Sequence, residues 1–263
     1  MSVLRSRDNP RVRRWLKLNR DARLRRKERR ALIEGAHLVA AFLDAGGTPE
    51  VLMVSESGAQ GGELAALVKR AGKPATMLAD TVFRSIADTE TPVGIAAEIE
   101  IPRARTELAG SPDCVFLEGI QDAGNVGAIL RSAAAFGVID VVLGPGCADP
   151  WSPKVLRAGM GGHFQLRVAE SDDLAAEVAR FRGRVACTVP RGGVALPEAD
   201  LQGPLAWIFG AEARGVSEAL ARHAKLKVTI PMPGGAESLN VAAAAAICLY
   251  ERSRQLSTRA ARC

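Results

Sequence analysis

The second half of the chain alternates short apolar runs with stretches of helical periodicity. Apolar runs predict strands at residues 114–117, 139–143, 185–189, 205–209 and 226–230. Helical periodicity predicts helices at residues 127–136, 154–160, 174–181 and 239–254. Because strands and helices alternate, we predict an α/β fold with a mostly parallel sheet and helices on both faces.

The first half predicts a smaller α/β unit. Its helices are expected at residues 10–30, 36–45, 63–71 and 80–86, and its strands at 50–54, 75–78 and 91–99. Residues 102–112 are charged, contain proline and lack apolar periodicity, as is typical of a linker. We therefore predict a first domain over residues 1–101, a linker over 102–112 and a second domain over 113–263.

Polar, glycine-rich segments follow several predicted strands of the second half. They cover residues 121–127, 144–153, 210–215 and 231–240. In parallel sheets, ligands bind beyond the carboxyl ends of the strands. These segments are therefore the candidates for a ligand site.

The last of these segments joins a strand to an alanine-rich helix through the sequence IPMPGGAESLN. Pro231 and Pro233 restrict the backbone, Gly235 permits unusual backbone angles, and Ser238 or Asn240 can cap the helix. A stiff loop at a helix N-terminus suits a ligand. The same features are typical of a structural turn before a capped helix, and the local sequence leaves both interpretations open.

Charge is concentrated at the start of the chain. The formal net charge is +6, whereas residues 5–30 hold 13 basic and 3 acidic residues, a local charge of +10. This asymmetry favours a polyanionic partner, above all a nucleic acid. Interleaved apolar residues such as Trp15 and Leu18 favour a docked basic helix over a solvated helix face or a free basic tail.

Composition narrows the class of protein. No uncharged apolar run reaches about 18 residues, so no membrane span is predicted, and the start lacks the apolar stretch of a secretory signal. The 5 cysteines are dispersed without a CxxC pair, and the 3 histidines are scattered. These patterns argue against a disulfide framework and a metal site, and they favour a reduced, cytoplasmic protein.

The glycine pattern gives little support for a dinucleotide-binding enzyme. That site needs GxGxxG between the first strand and helix. Here only Gly124 and Gly127 give GxxG, and Asp149 stands where a motif starting at Gly144 needs its third glycine. A nucleotide-binding Rossmann enzyme remains a distant alternative.

Three segments of the second half resemble the motifs of the SpoU family of RNA ribose 2′-O-methyltransferases, within the SPOUT superfamily. They are NVGAILRSAAAFG at residues 125–137, FGAEARG at 209–215 and IPMPGGAESLNV at 230–241, in the family's order and spacing. Ser132 and Gly159 depart from the threonine and serine that are frequent at their positions.

The resemblance implies a C-terminal deep trefoil knot in the α/β fold, S-adenosylmethionine as cofactor, and a homodimer formed through the knot region. The implied cofactor contacts are Thr188, Gly210, Ile230, Met232 and Leu239. The first half resembles the family's substrate-binding domain, because Asn9 and Pro10 precede a basic helix. The expected RNA contacts are Arg11, Arg13, Arg14, Lys154 and Arg157.

The resemblance also implies roles for catalytic residues. Arg131 would position the ribose 2′-hydroxyl; since a guanidinium stays protonated, it is a poor general base and would chiefly stabilise developing charge. Asn125 would support Arg131 or the ribose, and Glu212 would orient the arginine or its loop. Ser238 and Asn240 would hold a substrate phosphate. Without the resemblance, Asn125 and Ser238 could be helix caps and Arg131 a surface charge.

The expected function is S-adenosylmethionine-dependent methylation of a ribose 2′-hydroxyl in RNA, with 23S ribosomal RNA favoured. Two alternatives remain: the same chemistry on tRNA, and a non-catalytic RNA-binding protein of ribosome assembly on the same fold. The preference for ribosomal RNA rests on analogy, since a fold does not specify its substrate.

Overall fold

The structure, a computed structural model, describes residues 3–103, 108–212, 214–235 and 237–260. Its helices are α1 (Pro10–Arg20), α2 (Ala22–Glu28), α3 (Ala36–Asp44), α4 (Gly62–Arg70), α5 (Asp80–Ile86), α6 (Ala123–Ala135), α7 (Pro153–Gly159), α8 (Leu174–Arg180), α9 (Glu218–Ala221) and α10 (Val241–Ala260). Its strands are β1 (Arg30–Glu34), β2 (Val51–Ser55), β3 (Thr76–Leu78), β4 (Ile95–Glu100), β5 (Asp113–Glu118), β6 (Asp140–Leu143), β7 (Arg167–Glu170), β8 (Arg184–Thr188), β9 (Val194–Ala195), β10 (Leu205–Gly210) and β11 (Leu226–Thr229).

The chain forms two compact units. The first contains Met1–Arg103 and Asp149–Phe164, and the second contains Ala104–Ala148 and Gln165–Cys263. The division after Arg103 falls within the predicted linker. The sequence had assigned residues 149–164 to the second domain, whereas the structure packs them with the first unit.

The first unit is built on a four-stranded sheet in the order β1-β4-β2-β3. Strand β4 runs antiparallel to β1 and β2, and β2 is parallel to β3. Helix α1 packs against this unit through Val12, Trp15 and Leu18, which are buried. The charged face of α1 is left to solvent, as expected for an amphipathic helix.

The helix predicted over residues 10–30 is wrong in extent, because Asp21 and Arg29 interrupt it. The Asp21 carboxylate accepts hydrogen bonds from the backbone N–H groups of Arg23 and Leu24, and so starts α2. Arg29 adopts a left-handed conformation with φ of 53°, which ends α2 and admits strand β1. Because charged residues dominate this part of the sequence, the change from a helical to a strand period at residue 30 was not recognised. Strand β1 was therefore not predicted.

A buried carboxylate organises the junction between α1 and the sheet. Glu98 of β4 accepts two hydrogen bonds of 2.8 Å from the Arg14 guanidinium and one of 2.8 Å from Trp15 Nε1. Burial alone would raise the pKa of Glu98, but the bonds from Arg14 and Trp15 bring that pKa below its ordinary value. Arg14 also pairs with Glu28 at 2.6 Å. Its guanidinium is therefore part of the internal structure of this unit.

The segment Asp149–Phe164 is fixed within the first unit by polar and aromatic contacts. The buried guanidinium of Arg25 pairs with Asp149 at 2.5 Å. The Phe42 and Phe164 rings pack edge to face with centroids 5.2 Å apart. Within the segment itself, buried His163 donates from Nε2 to the Pro150 carbonyl at 2.8 Å. The contacts of Arg25 and Phe42 explain why a segment from the middle of the second half belongs to the first unit.

The second unit is a seven-stranded sheet in the order β7-β6-β5-β10-β8-β11-β9, and every described pairing in it is parallel. This confirms the predicted α/β fold with a mostly parallel sheet. Strand β5 and its neighbour β10 are buried along most of their length, and α10 packs against α6. Strands β7 and β9 and helix α9 were not predicted from the sequence. The deep trefoil knot stays a prediction.

Within the described ranges, no helix combines the length and the apolar character needed to cross a bilayer.

The buried imidazole of His163 makes the stability of the first unit dependent on pH. Burial lowers the pKa of His163 from 6.5 to about 4. The unfolded chain therefore takes up a proton near pH 6.5, which the folded chain resists until about pH 4. The free energy of unfolding should fall by about 3 kcal/mol as pH decreases through this window. Native-state hydrogen exchange of the β4 amides measures this free energy of unfolding as a function of pH.

The control for this prediction is His163→Gln, which keeps a donor for the Pro150 carbonyl but does not titrate. The free energy of unfolding of the variant should depend less steeply on pH. Within the window, its slope should be smaller than that of the original protein by about 1.4 kcal/mol per pH unit. If the variant and the original protein give the same pH profile, His163 is not the titrating group.

Candidate functional site

The carboxyl ends of three neighbouring strands meet at one edge of the parallel sheet. Strands β10, β8 and β11 are adjacent, and Thr188 pairs in register with Val228. Thr188 ends β8, Gly210 ends β10, and Ile230 follows β11 directly. The parallel topology therefore brings three of the five predicted cofactor contacts to the same edge.

The other two predicted cofactor contacts lie in the loop between β11 and α10. Met232 is half-buried, like Ile230, and Leu239 is 38% exposed. An apolar side chain that is not fully packed leaves surface for a ligand. The loop therefore offers apolar side chains beside the strand ends.

Gly210 ends β10 in a turn so tight that only glycine fits. The Gly215 N–H donates to the Ala211 carbonyl at 2.7 Å and closes the turn. A Cβ atom added to Gly210 would lie 2.1 Å from the Gly215 carbonyl oxygen. The close approach of the two backbone segments requires a residue without a side chain, and the turn carries Glu212.

A chain of hydrogen bonds joins three distant segments beside this turn. Asn240 Nδ2 donates to Asn125 Oδ1 at 2.9 Å, and Asn125 Nδ2 donates to Glu212 Oε1 at 2.7 Å. The first pair is separated by 115 residues and the second by 87. The structure thus brings three of the five predicted catalytic residues into direct contact.

The start of α10 fixes the direction of this chain. Asn240 Oδ1 accepts from the backbone N–H groups of Ala242 at 2.9 Å and Ala243 at 3.2 Å, which makes Asn240 the N-cap of the helix. Because the oxygen is occupied by donors, the amide nitrogen must face Asn125. The Asn125 oxygen then accepts, and its nitrogen is directed to Glu212.

Two acidic residues that sequence reasoning missed support the same site. Asp122 Oδ1 accepts from the Asn125 backbone N–H at 2.7 Å and caps α6. The Asn125 side chain is therefore not the cap of its own helix. Glu118, at the end of β5, accepts from the Ser217 N–H at 2.8 Å and anchors the loop after β10. The spacing of Asp122 before a helical period is an N-cap signal that could have been found.

Arg131 and Ser238 do not join the hydrogen-bond chain. Arg131 lies on α6, six residues after Asn125, and is exposed. Within the part of the chain that the structure describes, neither its guanidinium nor the Ser238 hydroxyl has a hydrogen-bond or ion-pair partner. Both groups are therefore available to a ligand.

The thiol that follows β6 is not suited to nucleophilic chemistry. Cys147 follows the carboxyl end of β6, and its Sγ donates to the Leu117 carbonyl at 3.3 Å. Burial raises the pKa of Cys147 above its ordinary value of 9.0. The group is therefore a protonated thiol at neutral pH and a weak nucleophile.

The predicted RNA contacts all lie in the first unit and differ in their surroundings. Arg11 stacks over Trp15 at 5.1 Å from the ring centroid. Arg13 pairs with Asp8 at 2.7 Å on the surface, a type of contact that contributes little stability. Both side chains remain exposed.

The other three predicted RNA contacts divide between internal and surface positions. Arg14 is bound to carboxylates inside the unit, as described above. Lys154 is exposed and has no partner among the described residues. Arg157 pairs with Asp88. Of the three, only Lys154 has a free charge.

Comparison with known sequences gives two family matches. The SpoU rRNA Methylase family matches residues 113–250, and the MRM3-like substrate binding domain matches residues 9–97. The chain is 34% identical to the 23S rRNA (guanosine(2553)-2′-O)-methyltransferase RlmP of Bacillus subtilis, over 95% of this chain and 98% of that protein.

Solved structures resemble the whole chain. An AdoMet-bound rRNA methyltransferase from Sinorhizobium meliloti has a TM-score of 0.81 and 28% identity, over 97% of this chain and 98% of that one. An RNA 2′-O ribose methyltransferase has a TM-score of 0.80 and 31% identity, over 97% and 99% of the two chains. The likeness therefore covers both units.

Proposed function

Since this chain belongs to the SpoU rRNA Methylase family, which makes it an RNA ribose 2′-O-methyltransferase that uses S-adenosylmethionine, we propose that it methylates 23S ribosomal RNA. The chain of hydrogen bonds from Asn240 through Asn125 to Glu212 is the observation that carries the assignment to this site. It links the family's three motifs, and the unpartnered guanidinium of Arg131 lies on one of the linked helices.

The strand edge fits the cofactor. Thr188, Gly210 and Ile230 supply backbone groups at neighbouring strand ends, while Met232 and Leu239 supply apolar surface. A flat, partly apolar adenosine and a charged amino acid end suit such a mixture of backbone and apolar groups. When bound, the cofactor supplies an electrophilic methyl group on a positively charged sulfur.

The protein's part is to orient the ribose 2′-hydroxyl and to accommodate the charge that develops on its oxygen. Arg131 donates hydrogen bonds to that oxygen and to a neighbouring substrate phosphate, and the hydroxyl proton passes to that phosphate as the new oxygen–carbon bond forms. Asn125 and Glu212 hold the start of α6 against the loop after β10. This contact fixes the position of the helix from which the Arg131 side chain extends. Ser238 binds a substrate phosphate. In-line orientation of this kind supplies much of the rate of such a transfer.

Ribosomal RNA is favoured over tRNA as the substrate for two reasons. The first unit matches a substrate binding domain, and the chain is similar along its whole length to a methyltransferase named for 23S rRNA. The similarity to a methyltransferase of Bacillus subtilis along the whole chain supports a cytoplasmic location, which we propose for this protein. The nucleotide that it methylates is found by mapping the 2′-O-methyl groups lost when its gene is deleted.

The apolar surface of α10 supports a homodimer. Ile247 is 39% exposed and Tyr250 55% exposed, and both share one face of the helix with Ala243. Tyr250 also packs against Phe136, which directly follows α6, with ring centroids 5.9 Å apart. An apolar helix face left in water indicates an interface, and a second copy of the chain is the partner we propose.

Arg131→Ala tests the catalytic assignment. Loss of the guanidinium should reduce the rate of methyl transfer about 100- to 1,000-fold. Binding of S-adenosylmethionine, measured by equilibrium dialysis, should stay close to that of the original protein, because Arg131 acts on the hydroxyl. Tritium transfer from labelled cofactor to 23S rRNA gives the rate. Arg182→Ala, which removes an exposed arginine outside the site, is the control; near-normal turnover by Arg131→Ala would contradict the assignment.

Asn240→Asp separates the helix cap from the hydrogen-bond chain. Aspartate keeps an oxygen for the N–H groups of α10, so the thermal midpoint should change little. It removes the donor to Asn125 and should lower kcat about 10- to 100-fold, through misplacement of α6. Asn240→Ala should show the same loss of kcat and, in addition, lose about 1 kcal/mol of stability. An unchanged kcat in Asn240→Asp would show that the chain is structural only.

The double variant Ile247→Lys with Tyr250→Lys tests the dimer. Two charges on the apolar face should prevent association, because they cannot be buried unpaired. Light scattering should give the mass of two 27.7 kDa chains for the original protein and of one for the variant. Ala179→Lys, an exposed position on α8, should remain dimeric. A monomeric original protein at micromolar concentration would exclude the proposed interface.

A further inference from the structure

The basic residues at the start of the chain differ in their partners. Six pair with carboxylates of the first unit: Arg5, Arg13, Arg14, Arg25, Arg29 and Arg30. Arg7 and Arg11 donate to the Thr81 carbonyl and the Thr76 hydroxyl, and Arg26 also has a partner. Four others are exposed and have no partner within the described residues: Lys17, Arg20, Arg23 and Lys27. We call these four residues the free cation set.

The free cation set lies on the outer faces of two consecutive helices. On α1, Lys17 and Arg20 are three residues apart and lie away from Val12 and Trp15, which enter the core. On α2, Arg23 and Lys27 are one turn apart, while Arg25 is buried. The structure therefore separates arginines that build the unit from cations that face outward.

Helix stability does not explain this arrangement. Lys17, Arg20 and Lys27 lie in last turns, where a positive charge is favourable. Arg23, however, lies in the first turn of α2, where a positive charge is unfavourable. Like charges one turn apart, as at Arg23 and Lys27, also destabilise a helix. An external polyanion would offset both costs.

We propose that the free cation set is the surface on which the first unit holds the phosphate backbone of the RNA substrate; this rests on the proposed function. Contacts of this kind position an RNA without reading its sequence. Trp15 is buried and cannot stack on a base, which is consistent with backbone recognition. In this proposal the free cation set takes the place of Arg14 among the predicted RNA contacts, because the Arg14 guanidinium is bound to Glu98 and Glu28.

The test is the salt dependence of RNA binding by the full chain. The variant changes all four residues to glutamine, which keeps helix propensity and removes the charges. The probe is a protein-free 23S rRNA transcript, titrated between about 50 and about 200 mM salt. The slope of log affinity against log salt should fall in magnitude by about 3, and affinity at physiological salt should drop on the order of 100-fold.

A matched control removes four charges from elsewhere in the same unit. Lys69 and Arg70 on α4, Lys73 after it and Arg84 on α5 are exposed, and they are changed to glutamine together. This control should leave the slope near that of the original protein. The double variant Lys17→Arg with Lys27→Arg keeps the charges and should bind RNA normally. Circular dichroism and thermal unfolding verify that each variant folds.

The outcomes separate this proposal from the proposed function. Equal slopes for the glutamine variant and the control overturn the free cation set as the phosphate surface, even if the original protein methylates 23S rRNA. Normal binding to naked RNA with lost binding to intact ribosomal subunits also overturns it, in favour of a protein partner. If the original protein transfers no methyl group to ribosomal RNA, the proposed function fails, whatever the slopes are.

Discussion

The side-chain amide of Asn240 has one end that accepts hydrogen bonds and one that donates them, and the site depends on this constraint. The first turn of α10 occupies the oxygen, so the nitrogen is directed to Asn125 and the next amide to Glu212. A single helix cap thereby sets the orientation of groups that are more than 80 residues apart in the chain. Reversal of either amide would place an acceptor against an acceptor, so the geometry has one favourable state.

The parallel sheet provides the frame in which this chain can form. Parallel strands place all their carboxyl ends at one edge, so the loops that follow them meet there whatever their separation in sequence. The tight turn after Gly210 brings Glu212 back over the strand end, and Glu118 holds the far side of that loop. The position of each of these polar groups thus follows from backbone packing, and the exposed guanidinium of Arg131 is available to a substrate.

The sequence predicted much of this, and the failures have physical causes. The alternation of strands and helices gave the parallel sheet, and the three motifs gave the residues that meet at its edge. The periodicity of apolar residues carries no information on pairs of residues that are far apart in the sequence. The Arg14–Glu98 ion pair could therefore not be predicted, and Arg14 was grouped with the surface cations. The packing of Asp149–Phe164 with the first unit could not be predicted for the same reason, since the Arg25–Asp149 pair that fixes this segment spans 124 residues.

The same distinction between paired and free charge bears on the choice between an enzyme and a passive RNA-binding protein. Binding alone requires unpaired cations, which the first unit supplies. It does not require a hydrogen-bond chain of fixed direction through three separate segments, nor an unpaired arginine on the helix that this chain secures. Such an arrangement restricts two helices and a loop, at a cost in conformational entropy. An enzyme gains from this restriction, because its groups must orient one hydroxyl for attack on the methyl group. Misplacement of such a group by about 1 Å can lower the rate of the transfer about 100-fold.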